Sequence, residues 1–462
     1  MALPQTPPSV GFISLGCAKN LVDSQVMAGA VMDAGMTLAS VDDADVLLVN
    51  TCAFIQDAVD EATRHIAWAC ERKAAGDCRA VVVAGCLPQR RRRGLRTAFP
   101  GVDAFLGVDE LDQVAEIIRK ALSTRKPLVR VSPEARRIFN PSRPALRFTG
   151  PHCAYLKIAE GCLHACAYCA IPGIRGRQRS RSLPDLVDEA GALLSTGVRE
   201  LTLVAQDTTA YGRDRRGAPR LPDLLRALDA LEGDFWIRLL YGYPGTVDDA
   251  LLEAMAASRH VVPYLDLPMQ HSHPDILRGM RRADTIRPLA GLPARLRAAL
   301  PGIALRTTCM VGFPGETEAH FQHLLDYVAE ARFDALGAFV FRPEKGTPAY
   351  GLPIPPAGLS EERHDRLLAL QARIMRENHR ALAGRTDRAL LLRAPARSGG
   401  TWLARTPRQA PEVDGWLRLR GVPRSARPGD ILPVRYTGGR GCDLLADAIP
   451  PRQKRRAAIP RR

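Results

Sequence analysis

The sequence predicts an α/β protein in three parts: an N-terminal doubly wound parallel sheet, a central partial (β/α) barrel and a C-terminal small β-barrel. Three observations carry this prediction. Short apolar runs alternate with helical stretches over the first 122 residues, six further strand–helix units follow to about residue 345, and from about Gly384 the pattern changes to short β-type runs. Alternating apolar strands and helices point to a parallel sheet with helices on both faces. Six βα units in series point to a partial barrel whose active face lies at the strand C-termini.

In order along the chain, Val10–Leu15, Val46–Val49 and Ala80–Ala84 read as buried strands. Asn20–Ala34, Asp57–Lys73 and Gln113–Leu122 read as the helices between and after them. The first part is therefore expected over residues 8–122. Residues 123–147 read as a linker, because the stretch Ser123–Pro151 holds five prolines and little periodicity. The barrel is expected over 148–380. Its strands are Tyr155–Ile158, Leu201–Val204, Trp236–Leu240, Tyr264–Leu267, Ala304–Thr308 and Ala335–Phe339, and a charged helix, Ser360–Ala383, closes it. Residues 383–449 carry four short β-type runs, a pattern expected of a small barrel. The remainder, 450–462, is a basic tail.

The chain has 65 Lys+Arg against 49 Asp+Glu, a net charge of +16. Such a balance invites a nucleic-acid partner, and 12 Arg against 6 acidic residues in Gly384–Ile449 localises part of it. Only 7 of the basic residues are Lys, so coding bias toward Arg explains the charge as well. No apolar run approaches the roughly 20 residues of a membrane span. The first ten residues lack the basic start and apolar core of a secretory signal. A cytoplasmic protein with no membrane partner is expected, and there clustered cysteines serve metals or catalysis rather than disulfides.

Eleven cysteines are too few for a disulfide scaffold. Three lie within eight residues in Cys162-Leu-His-Ala-Cys166-Ala-Tyr-Cys169, directly after a predicted strand. Such a loop can set three thiolates on three corners of a 4Fe-4S cube. It leaves one iron open, and an open metal position is where substrate binds. A zinc knuckle with His164 as fourth ligand is the alternative. A second set is dispersed: Cys17, Cys52 and Cys86 each follow a predicted strand of the first part, with 34 and 33 residues between them. Strand C-termini of a parallel sheet share one edge, where ligands bind. These three cysteines are therefore expected to converge, although buried cysteines are individually common. Cys70, Cys78, Cys153, Cys309 and Cys442 repeat no motif and read as small core residues.

The CxxxCxxC motif after the first strand of a partial barrel resembles the radical S-adenosylmethionine superfamily. Two three-cysteine sets on an α/β part plus a barrel resemble its methylthiotransferase family. Ser14-Leu-Gly-Cys-Ala-Lys-Asn20 and Asn50-Thr-Cys52 are similar to that family's N-terminal motifs, and Glu412-Val-Asp-Gly415 with Pro428-Gly-Asp430 resembles a TRAM module. The resemblance implies two 4Fe-4S clusters. That on Cys162, Cys166 and Cys169 binds S-adenosylmethionine at its open iron and cleaves it to a 5′-deoxyadenosyl radical. That on Cys17, Cys52 and Cys86 holds the sulfur to be transferred. Tyr168 stands where the superfamily carries an aromatic residue. The loops with Gln206, Gly312, Gly315 and Glu316 are implied to contact S-adenosylmethionine. An electron donor such as flavodoxin or ferredoxin is implied as partner.

Family substrates are a tRNA adenosine or an aspartate of ribosomal protein S-twelve. The Lys19 motif, Ile171-Pro-Gly-Ile-Arg-Gly176, Leu240-Tyr-Gly-Tyr-Pro244 and Tyr264-Leu-Asp-Leu-Pro-Met-Gln-His271 are similar to the ribosomal-protein branch. That resemblance implies methylthio insertion at the aspartate β-carbon, with RNA or ribosome contact through the TRAM module and basic runs. His271 is implied at the substrate. Alternating Arg175, Arg177, Arg179 and Arg181 suggest an extended basic strand able to meet a carboxylate bidentately, or a solvated face. Leu163 and Gln25 depart from the family's usual Asn and Glu. A tRNA-modifying enzyme and a non-catalytic iron–sulfur RNA-binding module are the competing readings.

Overall fold

The computed structural model describes residues 7–124, 126–141, 143, 146–397 and 400–450. Six parallel strands form the first sheet: β1 (Ser9–Ser14), β2 (Thr37–Leu38), β3 (Val46–Thr51), β4 (Ala80–Gly85), β5 (Ala104–Leu106) and β6 (Leu128–Arg130), in the order β2-β1-β3-β4-β5-β6. Successive side chains of a strand point to opposite faces, and in β3 and β4 both faces are apolar. Leu47, Val49, Val81 and Val83 pack against Val59, Ala62 and Ile66 of the helix Gln56–Ala75. Val46, Leu48, Val82 and Ala84 pack against Val26, Met27, Ile117 and Ile118 on the other face. The expected doubly wound sheet is therefore present, and its strand order reverses between β1 and β3, the position where such sheets open a ligand crevice.

One sequence expectation differs. The stretch read as a linker from 123 contributes β6, which pairs Leu128 with Ala104 and Arg130 with Leu106. A three-residue edge strand carries too little periodicity to stand out among prolines.

The second sheet has six parallel strands in sequential order: β7 (Cys153–Lys157), β10 (Glu200–Val204), β11 (Trp236–Leu239), β12 (Val261–Asp266), β13 (Ala304–Val311) and β14 (Ala335–Val340). A small antiparallel pair, β8 (Ala159–Glu160) with β9 (Arg179–Ser180), brackets the cysteine loop. Helices Leu183–Ser195, Leu221–Asp229, Asp249–Ala257 and Glu318–Ala331 cover the outer face through Leu186, Leu224, Leu251 and Leu324. The helix Leu359–Leu382 leads to a closed five-stranded barrel of β15 (Thr386–Arg393), β16 (Trp402–Arg405), β17 (Leu417–Arg420), β18 (Ile431–Arg440) and β19 (Asp443–Ala448). The sequence reading missed β19, the strand that closes it. From residue 451 the expected basic tail lies outside the described residues. Among the described residues no helix is long and apolar enough to cross a membrane.

The small barrel is held to the larger one by buried charge. Glu200, wholly buried, accepts hydrogen bonds from Arg238 (Nε, 2.5 Å) and from Arg405 of the small barrel (Nε, 3.0 Å). Arg238 also donates to the Pro407 carbonyl at 2.7 Å. Removing one partner of a buried ion pair leaves the rest uncompensated, which costs about 3–5 kcal/mol. Arg405→Met is therefore expected to lower the denaturant midpoint substantially, and an unchanged midpoint would contradict this account of the interface. Cys153 lies here too, packed against the apolar cluster at this interface, with its Sγ 2.9 Å from Arg405 Nη2. Cys78 and Cys309 are buried as expected, Cys70 is half-buried, and Cys442 is exposed.

Candidate active site

The first cysteine set forms because three adjacent strands end in register. Ser14 pairs with Asn50, and Thr51 with Gly85, so Cys17, Cys52 and Cys86 stand just beyond one edge of the sheet. Two glycines make the approach possible. Gly16 has φ +88°, and a Cβ there would sit 2.5 Å from the Cys52 Cβ. Gly85 has φ +93°, and its Cβ would meet the Asn50 side chain at 2.3 Å. Only glycine adopts such a conformation without strain. Asn20 supports the edge, donating through Nδ2 to the carbonyls of Leu15 (2.7 Å) and Thr51 (3.1 Å).

The second set follows β7. The backbone N–H of His164 donates to Cys162 Sγ at 3.4 Å, that of Ile171 to Cys169 Sγ at 3.4 Å, and Arg282 Nη1 lies 3.7 Å from Cys166 Sγ. Donors aimed at sulfur favour the thiolate. Burial acts oppositely: it pushes the thiols of Cys162 to about 11 and of Cys86 and Cys169 to about 12. Without metal these three are protonated at neutral pH, and metal binding displaces their protons. The same ligands must be deprotonated to bind iron, so the N–H and guanidinium donors lower that cost.

Each donor set consists of three thiols, the ligands iron–sulfur clusters take. Among the described residues, His273, Asp275 and His320 form the one group of three potential ligands whose ligand atoms all lie within 4.8 Å. Neither cysteine set forms such a group. His164, the candidate fourth zinc ligand, gives its Nε2 to Asp207 Oδ2 at 2.7 Å and stacks on Tyr243 with ring centroids 3.6 Å apart.

The two edges face each other across buried charges. Lys157, the last residue of β7, donates to Asp23 (2.5 Å) and Glu160 (2.9 Å). Arg175 Nη1 donates to Asp23 (2.6 Å) and Glu160 (3.2 Å), and its Nη2 to Asn20 (2.7 Å) and Cys86 Sγ (3.3 Å). Gln206 Nε2 donates to Glu160 at 2.7 Å. Burial alone would raise Glu160, but Arg175 and Lys157 outweigh it and hold the carboxyl below its usual range. Lys19 lies 3.3 Å over the Tyr241 ring. Farther along the edge, Arg90 and the Gln56 N–H both reach Glu344 at 2.8 Å.

These positions correct the reading of the alternating arginines. They do not form one extended strand. Pro172 starts a short helix, Ile171–Arg175, and Gly176 (φ +70°) ends it. Arg175 and Arg181 are buried on acidic partners of this chain, Arg179 donates to backbone carbonyls, and Arg177 alone is exposed.

The remaining candidates lie at the barrel mouth or buried behind it. Phe313 packs with Ala167 and the half-buried Tyr168, which brings the loop Gly312–Glu316 against the second cysteine set. Gly312 (φ +74°) would place a Cβ 2.1 Å from Ser360 Oγ, so close packing requires glycine there, whereas Gly315 (φ +84°) has open space around it. The Gly312 N–H donates to Glu316 Oε2 at 2.9 Å, and Arg363 holds Oε1 at 2.8 Å. His271 is wholly buried, and burial first, then neighbouring histidines, lower it to about 3. Its Nδ1 accepts the His273 N–H at 2.9 Å, so Nε2 carries the proton, and this donor has no partner among the described residues, with Glu316 Oε2 3.8 Å away.

Burial pushes Glu316 up to about 6 despite Arg363. A carboxyl raised from 4.5 binds its proton more tightly in the folded state. The resulting stability is present below about pH 4.5 and lost as pH rises through 6, about 2 kcal/mol for a shift of this size. Unfolding free energies of wild type and Glu316→Gln should therefore diverge by that amount between pH 4 and 7, and parallel profiles would contradict the assignment.

Sequence reasoning did not single out Asp23, Lys157, Glu160 or Arg282; Asp207 and Tyr243 lay in noted runs, Gln206-Asp-Thr208 and Leu240-Tyr-Gly-Tyr-Pro244, but without these roles. The available signal was a lysine in the apolar strand Tyr155–Ile158. A cavity of about 310 Å³ borders Cys166 and Cys169 and is rimmed by Arg90, Arg281 and Lys345. A larger one, about 570 Å³, lies between the two barrels, away from both cysteine sets.

Residues 9–107 match the uncharacterized protein family UPF0004, residues 156–328 the Radical SAM superfamily and residues 384–449 the TRAM domain. The chain is 41% identical over 442 residues to the ribosomal protein uS12 methylthiotransferase RimO of Desulforamulus reducens, covering 95% of this chain and 99% of that protein. It is 43% identical over 450 residues to the protein of that name from Anaeromyxobacter sp. (strain K), covering 97% and 94%. Among solved structures, the radical S-adenosylmethionine methyltransferase TsrM from Kitasatospora setae superposes with a TM-score of 0.54 at 16% identity over 74% of each chain, a likeness of fold.

Proposed function

Because the chain belongs to the RimO family of radical SAM methylthiotransferases, we propose that it inserts a methylthio group at the β-carbon of an aspartate of ribosomal protein uS12. The observation that carries the reading is the pair of three-thiol sets facing each other across one turn of helix. Cys162, Cys166 and Cys169 would hold the 4Fe-4S cluster that binds S-adenosylmethionine. Cys17, Cys52 and Cys86 would hold a second 4Fe-4S cluster, the one bearing the sulfur to be transferred. When bound, the first cluster and S-adenosylmethionine supply the radical that a strong, unactivated C–H bond requires; binding, orientation and electrostatics fall to the protein.

The chain's own groups divide that work. Tyr168, Gly315 and the loop led by Gly312 wall the side of S-adenosylmethionine. Glu316 and His271 lie buried behind that loop, Glu316 holding the Gly312 N–H, and Gln206 fixes Glu160 between the two sets. Arg177, exposed beside the cysteine loop, is placed to meet the substrate carboxylate. Arg175 is not proposed to touch substrate, because its guanidinium is occupied within the chain. The Arg281 and Lys345 rim beside Cys166 and Cys169 suits an acidic electron donor such as flavodoxin or ferredoxin. The small barrel, with its excess of arginine, suits ribosomal RNA. A cytoplasmic location follows from the substrate.

Iron and sulfide quantitation of the anaerobically reconstituted protein tests the two-cluster count. About eight irons per chain are expected in wild type and about four in Cys86→Ala, since each cube holds four. About four irons in wild type would leave one cysteine set without a cluster and overturn the reading.

A further inference from the structure

The helix Ile171–Arg175 touches both cysteine sets. Its first N–H donates to Cys169 Sγ at 3.4 Å, and its last side chain donates to Cys86 Sγ at 3.3 Å. At 1.5 Å of rise per residue, five residues span only about 7–8 Å. The helix is anchored between the two parts of the protein: Ile174 and Ala170 pack in the core of the first sheet, while the Gly176 carbonyl accepts the Cys162 N–H at 3.2 Å.

Arg175 is 3% exposed and has a fixed fork geometry. Asp23 and Glu160 orient one arm, and Asn20 orients the other, which leaves that second arm directed at Cys86. Among the described contacts this is the guanidinium bonded to a sulfur of the first set. The nearest equivalent in the second set is Arg282 on Cys166, on a different element and at 3.7 Å. A cationic N–H donor on a cluster sulfur withdraws electron density and raises the reduction potential of that cluster.

We propose that Arg175 is a positioning residue that sets the Cys17/Cys52/Cys86 centre apart electronically from the radical-generating one, by donating a charge-assisted hydrogen bond to Cys86 from a helix begun on Cys169. The proposal rests on the two-cluster reading. It assigns Arg175 no contact with substrate. The helix makes the two centres share a scaffold while only one of them feels the guanidinium.

The test is a potentiometric titration of reconstituted full-length protein followed by electron paramagnetic resonance. Wild type is compared with Arg175→Gln and Arg175→Lys, with Arg216→Gln, exposed and remote from both cysteine sets in the chain, as a control. Cys86→Ala protein identifies the signal of the Cys162 set alone, and added S-adenosylmethionine perturbs that signal. In Arg175→Gln the Cys86-side cluster should titrate at a more negative potential. Its reduced-to-oxidised ratio at a fixed potential should fall about tenfold, equivalent to about 59 mV for one electron, while the other cluster is unmoved. Arg175→Lys, which keeps the charge but not the fork, should fall between, and it carries the comparison if the Gln variant does not retain iron. Equal shifts in both clusters, or a loss of thermal stability with both potentials unchanged, would reduce Arg175 to a structural tie and overturn the proposal. Wild type with a single cluster would overturn the underlying reading itself, a result visible before any variant is made.

Discussion

Cys166→Ala protein is expected to cleave no S-adenosylmethionine and to form no methylthiolated product, a loss to the uncatalysed background. The physical reason lies in the geometry of its loop. The chain offers three thiols there, each with a donor near its sulfur: the His164 and Ile171 N–H groups on Cys162 and Cys169, and Arg282 on Cys166. With one removed, two ligands cannot hold a cube, and Arg282, 4% exposed and stacked over Tyr243, is left facing an apolar side chain. Chromatographic measurement of 5′-deoxyadenosine from reduced, iron-loaded protein is the check. Deoxyadenosine at the wild-type rate would remove this loop from the chemistry.

Cys86→Ala is expected to separate the two activities. Methylthio transfer should fall to background while S-adenosylmethionine cleavage stays measurable, because the Cys162 set lies on a different sheet with its own donors. Cys86 is the most buried of its set and the only one whose sulfur receives Arg175. Its loss therefore also leaves Arg175 Nη2 with Asn20 alone. Product at the normal rate would end the assignment of a sulfur-bearing role to Cys17, Cys52 and Cys86. Loss of both activities together would show that the two centres do not assemble independently.

The contrast between these residues and Arg175 shows where sequence is informative. Cys17, Cys52 and Cys86 were expected to converge because each follows an apolar run, and β1, β3 and β4 are buried on both faces, so the runs are continuous and their ends well marked. The register of a parallel sheet then does the rest. Most barrel strands were legible for the same reason; β14, whose residues are at most half-buried, was legible as an apolar run all the same. The strands that escaped, β2, β5, β6, β8 and β19, are short or lie in stretches interrupted by turn residues. Arg175 was legible as a basic residue and misplaced in structure. Its neighbours Arg177, Arg179 and Arg181 suggested alternation, yet Pro172 and Gly176 delimit a helical turn between two extended segments. Its partners Asp23, Asn20 and Cys86 lie 152, 155 and 89 residues away. No local pattern encodes such contacts, which arise only when the first sheet is packed over the barrel mouth. Glu316 and His271 likewise sat in motifs, but their buried, mutually facing arrangement is a product of tertiary packing.

The central claim is the identity of the modified atom. Reconstituted, reduced protein incubated with S-adenosylmethionine and either uS12 or total tRNA, followed by mass spectrometry of peptides and nucleosides, addresses it directly. The account predicts a methylthio group on one aspartate side chain of uS12 and unmodified tRNA. Unmodified uS12 together with a methylthiolated adenosine in the tRNA would contradict it.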